Sequence, residues 1–255
     1  MTTGRVDLLG VEINAINMDD AVGAIGGWIR QREPTYVCLV PAHSVMEARR
    51  DEEYRRILNG SGLTTPDGMS IVWLLKLRGQ RRVQRVYGPD LMLEVCRASV
   101  DAGWSHFLYG GEEGVAEDLV STLESRYPGL RIAGTHSPPF RQPTPEEDAE
   151  VSRRIEQSGA DVVWVGIGSP RQERWIAEHA GRVGAPVLIG VGAAFDFLSG
   201  RKPQAPRWMQ RAGLEWLFRL ATEPRRLWRR YAEYPLFVLL ATTDLLRSRR
   251  SETNQ

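Results

Sequence analysis

The chain has 255 residues, 42% hydrophobic and 25% charged, with a net charge of +1. That length buries a substantial core, as one large α/β domain or two small lobes, and the balance is ordinary for a globular protein. Near-neutrality argues against a polyanionic partner for the chain as a whole, and no run of about 18 apolar residues exists to cross a bilayer.

Residues 1–10 lack an apolar core behind a basic start, so no signal peptide is expected. Strands are expected over residues 6–13, 36–40, 106–109, 131–134, 162–166 and 187–191, with a further strand ending at Pro66. Helices are expected over 21–31, 44–58, 68–77, 90–102, 115–127, 145–157, 172–180 and 209–231. Apolar runs spaced by amphipathic ones imply right-handed crossovers and a mostly parallel, Rossmann-like sheet. Charge divides the chain near residue 200. Residues 201–255 hold 12 basic and 5 acidic side chains, a net of +7, against −6 for residues 1–200. A core over 1–200 and a basic, helical, membrane-associating appendage over 201–255 are therefore expected.

Ligands of open α/β sheets sit beyond the carboxyl ends of strands, where four glycine-rich turns fall. The most informative is Gly166-Ile167-Gly168-Ser169-Pro170-Arg171-Gln172-Glu173. Ser169 suits an N-cap, Pro170 the first helical position, and Gln172 a capping box; free amides there attract phosphate. Gly110, Gly111 and Gly114 form a second strand-to-helix turn. It lacks the dinucleotide order of glycines, which disfavours a nicotinamide site. Asp67, between Pro66 and Gly68, either caps the next helix or serves as a general base. Asp196, after Phe195, carries the same ambiguity.

His43 and His136 lie at strand ends and face substrate on this reading, or are ordinary loop histidines. With His106 and His179 they show no metal spacing, and no Asp-x-Asp motif advertises a divalent ion. Cys38 and Cys96 read as buried thiols. Trp208, Trp216 and Trp228 interleave with arginines in the appendage, as at a membrane interface, or as one face of a packed amphipathic helix. No nucleic-acid recognition motif accompanies that charge.

In order, these segments resemble the WecG/TagA/CpsF family of bacterial glycosyltransferases. The matching stretches include Ala42-His43-Ser44, Pro66-Asp67-Gly68, Arg85-Val86-Tyr87-Gly88-Pro89-Asp90-Leu91, Tyr109-Gly110-Gly111, Gly134-Thr135-His136 and Gly166 to Glu173. Leu214-Glu215-Trp216 through Arg219, and Glu223-Pro224-Arg225-Arg226 to Arg229-Arg230-Tyr231, complete the pattern over residues 6–232. The resemblance implies a metal-independent, inverting enzyme without a cofactor. Its donor would be a UDP-sugar and its acceptor a sugar on undecaprenyl diphosphate, at the cytoplasmic face of the membrane. Asp67 maps to the base, and Arg219, Arg226 and Arg229 to arginines that close over the site. The glycine turns, with His43, Gly68, His136, Ser169, Pro170, Gln172, Glu173, Phe195 and Asp196, would bind substrates. Three places depart from the family pattern: Leu39-Val40-Pro41, Ser137 to Phe140, and Gln204 before Ala205-Pro206. The first, at Leu39 and Pro41, is the best sequence argument for a rival reading, a non-catalytic nucleotide-binding protein at the membrane on the same fold.

Overall fold

A computed structural model describes residues 4–253. Its elements, in chain order, are β1 (Arg5–Leu8), β2 (Val11–Asn14), α1 (Met18–Gln31), β3 (Thr35–Val40), α2 (Ala42–Arg50), α3 (Glu52–Asn59) and β4 (Leu63–Pro66). There follow α4 (Met69–Leu77), α5 (Gly88–Ala102), β5 (Ser105–Gly110), α6 (Val115–Arg126), β6 (Arg131–His136), α7 (Pro145–Ser158) and β7 (Val162–Gly166). The rest are α8 (Arg171–His179), β8 (Val187–Gly190), α9 (Ala194–Leu198), α10 (Arg207–Arg211), α11 (Glu215–Thr222), α12 (Pro224–Tyr231) and α13 (Tyr234–Thr253).

The core is a six-stranded sheet in the order β4-β3-β8-β7-β5-β6, with every pairing parallel. The α/β class and parallel sheet match the sequence reading. The chain leaves β5 toward β6 and β7 toward β8, on opposite sides of the sheet. Connections therefore diverge between β5 and β7, which opens a crevice at their carboxyl ends. Apolar side chains cover both faces of the sheet. One layer is centred on Cys38, Val40, Val163 and Leu188, the other on Val37, Leu39, Trp164 and Ile189.

Three expected elements are subdivided. Residues 6–13 form a hairpin rather than one strand, because Leu9 and Gly10 both take positive φ (57° and 90°) and turn the chain. The helix expected over 44–58 breaks at Asp51, which is extended and whose carboxylate accepts the Tyr54 N–H at 2.9 Å. The helix expected over 209–231 becomes α10, α11 and α12. Pro224 cannot continue the helix before it, and left-handed Gly213 ends the one before that. A Cβ on Gly213 would stand 2.6 Å from the Trp73 ring.

Helix α13 runs on beyond the expected helices, from Tyr234 to Thr253. Phe237 and Ala241 are 1% exposed and belong to the same core as α2 and α4. Arg50 pairs with Glu233 and Arg78 with Asp244, which clamps this helix at both flanks. On this face the packed amphipathic reading holds, while Leu236, Val238 and Leu239 on other faces stay exposed. Among the described residues no helix is long and apolar enough to cross a membrane. Phe237→Ala should therefore cost about 3–5 kcal/mol in urea unfolding, as for a core aromatic. A loss under about 1 kcal/mol would mean that α13 is not part of the core.

Candidate active site

The carboxyl ends of β3, β4, β7 and β8 open into a cleft of about 1060 Å³. Helices α11, α12 and α13 form the facing wall and contribute Trp216, Arg219, Arg226, Arg230, Tyr231, Tyr234 and Val238. The C-terminal helices thus close over the crevice that the sheet topology creates.

Asp67 sits at the floor, directly after β4. Its N–H donates to the Val40 carbonyl at 3.3 Å, which ties the residue to the edge of β3. It does not cap α4. Gly68 holds the N-cap position and no side chain caps that helix. The Asp67 carboxyl is 20% exposed, and its Oδ1 is buried without a hydrogen-bond partner. Burial raises its pKa from 3.8 to about 6; Arg85 opposes this, Glu215 adds to it, and Arg219 and the Gly88 N–H oppose it. At neutral pH it is therefore mostly ionised and still basic, as a general base requires.

Arg85 lies between two carboxylates. Its Nη2 donates to Glu215 Oε2 at 2.7 Å and stands 3.9 Å from Asp67 Oδ1. Its Nε donates to the main-chain oxygen of Asp67. The guanidinium covers the Tyr87 ring at 3.8 Å, and the Tyr87 hydroxyl donates to Glu215 Oε1 at 3.1 Å.

The opposite wall is cationic. Arg219 Nε is buried without a partner, although the guanidinium lies over Phe197 at 5.5 Å. Arg230 is pushed below the usual arginine value by burial and by the nearby Arg219 and Arg226. Such crowding of like charge is relieved by an anion. Arg226 is held by Glu223 at 2.6 Å, and Lys202 by Asp196 at 2.6 Å. His43 is held neutral, well below its ordinary value, by burial and then by Arg230 and Arg219, and its Nε2 has no partner.

A family model described as "Glycosyl transferase WecG/TagA/CpsF family" matches residues 6–251. The chain belongs to that family. It is a glycosyltransferase. A relative from Bacillus subtilis (strain 168) is 31% identical over 83% of this chain and 80% of its own length. A relative from Staphylococcus aureus (strain MRSA252) is 28% identical over 92% of this chain and 91% of its own. Both are named N-acetylglucosaminyldiphosphoundecaprenol N-acetyl-beta-D-mannosaminyltransferase.

Within this transferase the sequence-derived site residues divide into two groups. Asp67, Gly68, His43, Gly111, Gly166, Gly168, Ser169, Gln172, Glu173, Phe195, Asp196, Arg219 and Arg226 all line the cleft. Gly110, Gly114, His136, Pro170 and Arg229 are not among its lining residues. A Cβ on Gly110 would stand 2.5 Å from the Gly166 backbone, so close approach of β5 to β7 explains this glycine. Gly114 is the left-handed N-cap of α6. His136 stacks on Tyr109 at 5.9 Å and lies 3.2 Å from an Arg154 nitrogen. Arg229 is exposed and lies over Trp228 at 5.3 Å, while its neighbour Arg230 turns into the cleft.

The expected capping box at Ser169 is absent. Helix α8 has Pro170 at its N-cap position with no side-chain cap. The Ser169 hydroxyl instead meets the Tyr54 hydroxyl at 3.1 Å, and Gln172 donates to Glu173 Oε1 at 2.8 Å. The buried Gln172 Oε1 and Glu173 Oε2 have no partner, which leaves acceptors for substrate donors. Among the described residues no group of three His, Cys, Asp or Glu could hold a metal. Sequence reasoning assigned no role to Arg85, Tyr87, Glu215, Arg230, Tyr231 or Tyr234. Their signal was an arginine and a glutamate in segments that match the family 130 residues apart.

The raised pKa of Asp67 has a thermodynamic consequence. The folded state holds this proton more tightly than the unfolded chain. The associated stability is full below about pH 4 and is lost as pH rises toward about 6. Asp67→Asn removes that loss, so the variant should be more stable than wild type at pH 7, by up to ~3 kcal/mol. In urea unfolding the advantage should vanish below pH 4. A variant less stable at pH 7 would mean that Asp67 is a paired, structural carboxylate.

Proposed function

We propose that the enzyme transfers an N-acetylmannosamine-type sugar from UDP to a sugar carried on undecaprenyl diphosphate, for a cell-surface polymer. A uronic acid donor is the second candidate. The relatives' names give an N-acetylmannosaminyl group and an N-acetylglucosaminyldiphosphoundecaprenol acceptor, and the match over most of each chain supports carrying these across. The observation that carries the reading is the Asp67 carboxylate, with Oδ1 buried and unpartnered, facing arginines across one cleft.

The relatives' products are β-linked. From an α-linked donor, that outcome is inversion by a single displacement. Asp67 takes the proton of the acceptor hydroxyl as its oxygen attacks the anomeric carbon. The bond to the diphosphate breaks on the opposite face, and charge grows on the leaving group. Arg219, Arg226 and Arg230, on the facing wall of the cleft, stabilise that charge. The turn at Gly166 to Ser169 meets the nucleotide, and Gln172 and Glu173 read donor hydroxyl or amide groups.

The acceptor lipid stays in a bilayer, so the cleft must face one. Trp208 on α10, Trp228 on α12, and Leu236, Val238 and Leu239 on α13 are exposed around the helices that carry the arginines. We infer that this rim rests on the cytoplasmic membrane surface. It carries no signal for nucleic acid. The segment 201–255 thus both completes the site and anchors it.

In steady-state transfer from UDP-N-acetylmannosamine, kcat should rise with pH through an acid limb near 6, set by Asp67. Asp67→Asn should lose roughly 10²-fold or more in kcat, with UDP affinity little changed. Near-normal turnover in that variant would refute the assignment. Arg230→Ala should lower transfer more than Arg229→Ala, even to a soluble short-chain acceptor; the reverse order would return the third arginine to position 229. Flotation with anionic vesicles should weaken as salt rises, at about 1 kcal/mol per basic residue near the surface. Binding indifferent to both lipid charge and salt would refute the electrostatic part of the anchoring.

A further inference from the structure

Arg85 could neutralise either of two carboxylates, and the geometry allots it to one. Glu215 accepts from Arg85 at 2.7 Å through Oε2 and from the Tyr87 hydroxyl at 3.1 Å through Oε1. Gln204 donates to that same hydroxyl at 3.2 Å. Glu215 is therefore fixed at both oxygens, and its side chain is only 12% exposed. The Tyr87 ring, 3.8 Å from the guanidinium, fixes the plane in which Arg85 lies. Asp67 receives from Arg85 only a bond to its main-chain oxygen, and Oδ1 stays unpartnered at 3.9 Å.

We propose that Glu215 is a positioning residue for the base: it holds the Arg85 guanidinium off the Asp67 carboxylate. The proposal rests on Asp67 being the base. Arg85 is the nearest cation to Asp67, and a carboxylate in direct contact with a guanidinium is a weak proton acceptor. Glu215 opens helix α11, which also carries Arg219. Docking of that helix therefore frees the base and delivers an arginine to the leaving diphosphate in one movement. The other groups facing Asp67 are Tyr87 and the Gly88 N–H from the segment entering α5, Arg219 from α11 and Tyr234 from α13. None is a second carboxylate able to take Arg85 in place of Glu215.

The test compares kcat–pH profiles of wild type, Glu215→Ala, Glu215→Gln and the double variant Glu215→Ala/Arg85→Met, with the full-length chain and a soluble acceptor. In Glu215→Ala, Arg85 swings to Asp67. The acid limb should move down by roughly one pH unit. The plateau should fall about tenfold or more as the base weakens, with KM little changed. Glu215→Gln keeps the shape and one acceptor oxygen for Arg85 but loses the charge, and should move the limb the same way by less. It carries the test if the alanine variant fails to fold. Removing Arg85 as well should return the limb upward and recover part of the rate. Limbs unmoved in both single variants, or a deeper loss in the double variant, would overturn the proposal. Asp67→Asn separates the two failures. If it turns over normally, the base reading fails and this one with it. If it is inactive while the Glu215 variants keep the wild-type limb, only the positioning role fails.

Discussion

A carboxylate kept unpaired 3.9 Å from a guanidinium is the constraint on which this site depends. Left to Coulomb attraction, Asp67 and Arg85 would close to a hydrogen-bonded pair and the carboxylate would become a poor base. Glu215 and Tyr87 prevent this by holding Arg85 elsewhere. The cost falls on folding stability, because a desolvated carboxylate without a partner is unfavourable. Destabilisation of this kind is common where a site needs reactive groups.

The sheet and the C-terminal helices each supply half of the arrangement. The sheet fixes the floor: β4 ends at Asp67, β3 leads to His43, and β7 and β8 bring the glycine turns. The helices supply Glu215 and the arginines. Phe237 and Ala241 lock the next helix, α13, into the core beside α2 and α4. Net charge follows the same division. The acidic body and the basic segment meet across the cleft, where the Asp67 carboxylate faces several cations.

Much of this was legible in the sequence. Buried parallel strands are continuous apolar runs, so β3, β5, β7 and β8 stand out, as do the turns after them. The hairpin at Leu9 and Gly10 was hidden inside one alternating run. The third arginine could not be fixed by motif alone. Adjacent helical residues point about 100° apart, so Arg229 and Arg230 look alike in sequence yet face different surroundings. The capping box at Ser169 failed because helix α8 starts one residue later, with Pro170 at its N-cap position, and the Ser169 hydroxyl meets Tyr54 instead. The Arg85–Glu215 bond spans 130 residues and has no local signature. Local chemistry was readable wherever backbone geometry demanded a residue type. Long-range pairing of side chains was not.

The central claim is that Asp67 is a desolvated, unpaired carboxylate in the resting protein. Carbon-13 NMR of the side-chain carboxyls, with Asp67→Asn to assign the signal, measures this without substrate or turnover. The account predicts a titration midpoint near 6. A midpoint at or below the ordinary 3.8 would mean that Arg85 already neutralises Asp67, and would contradict it.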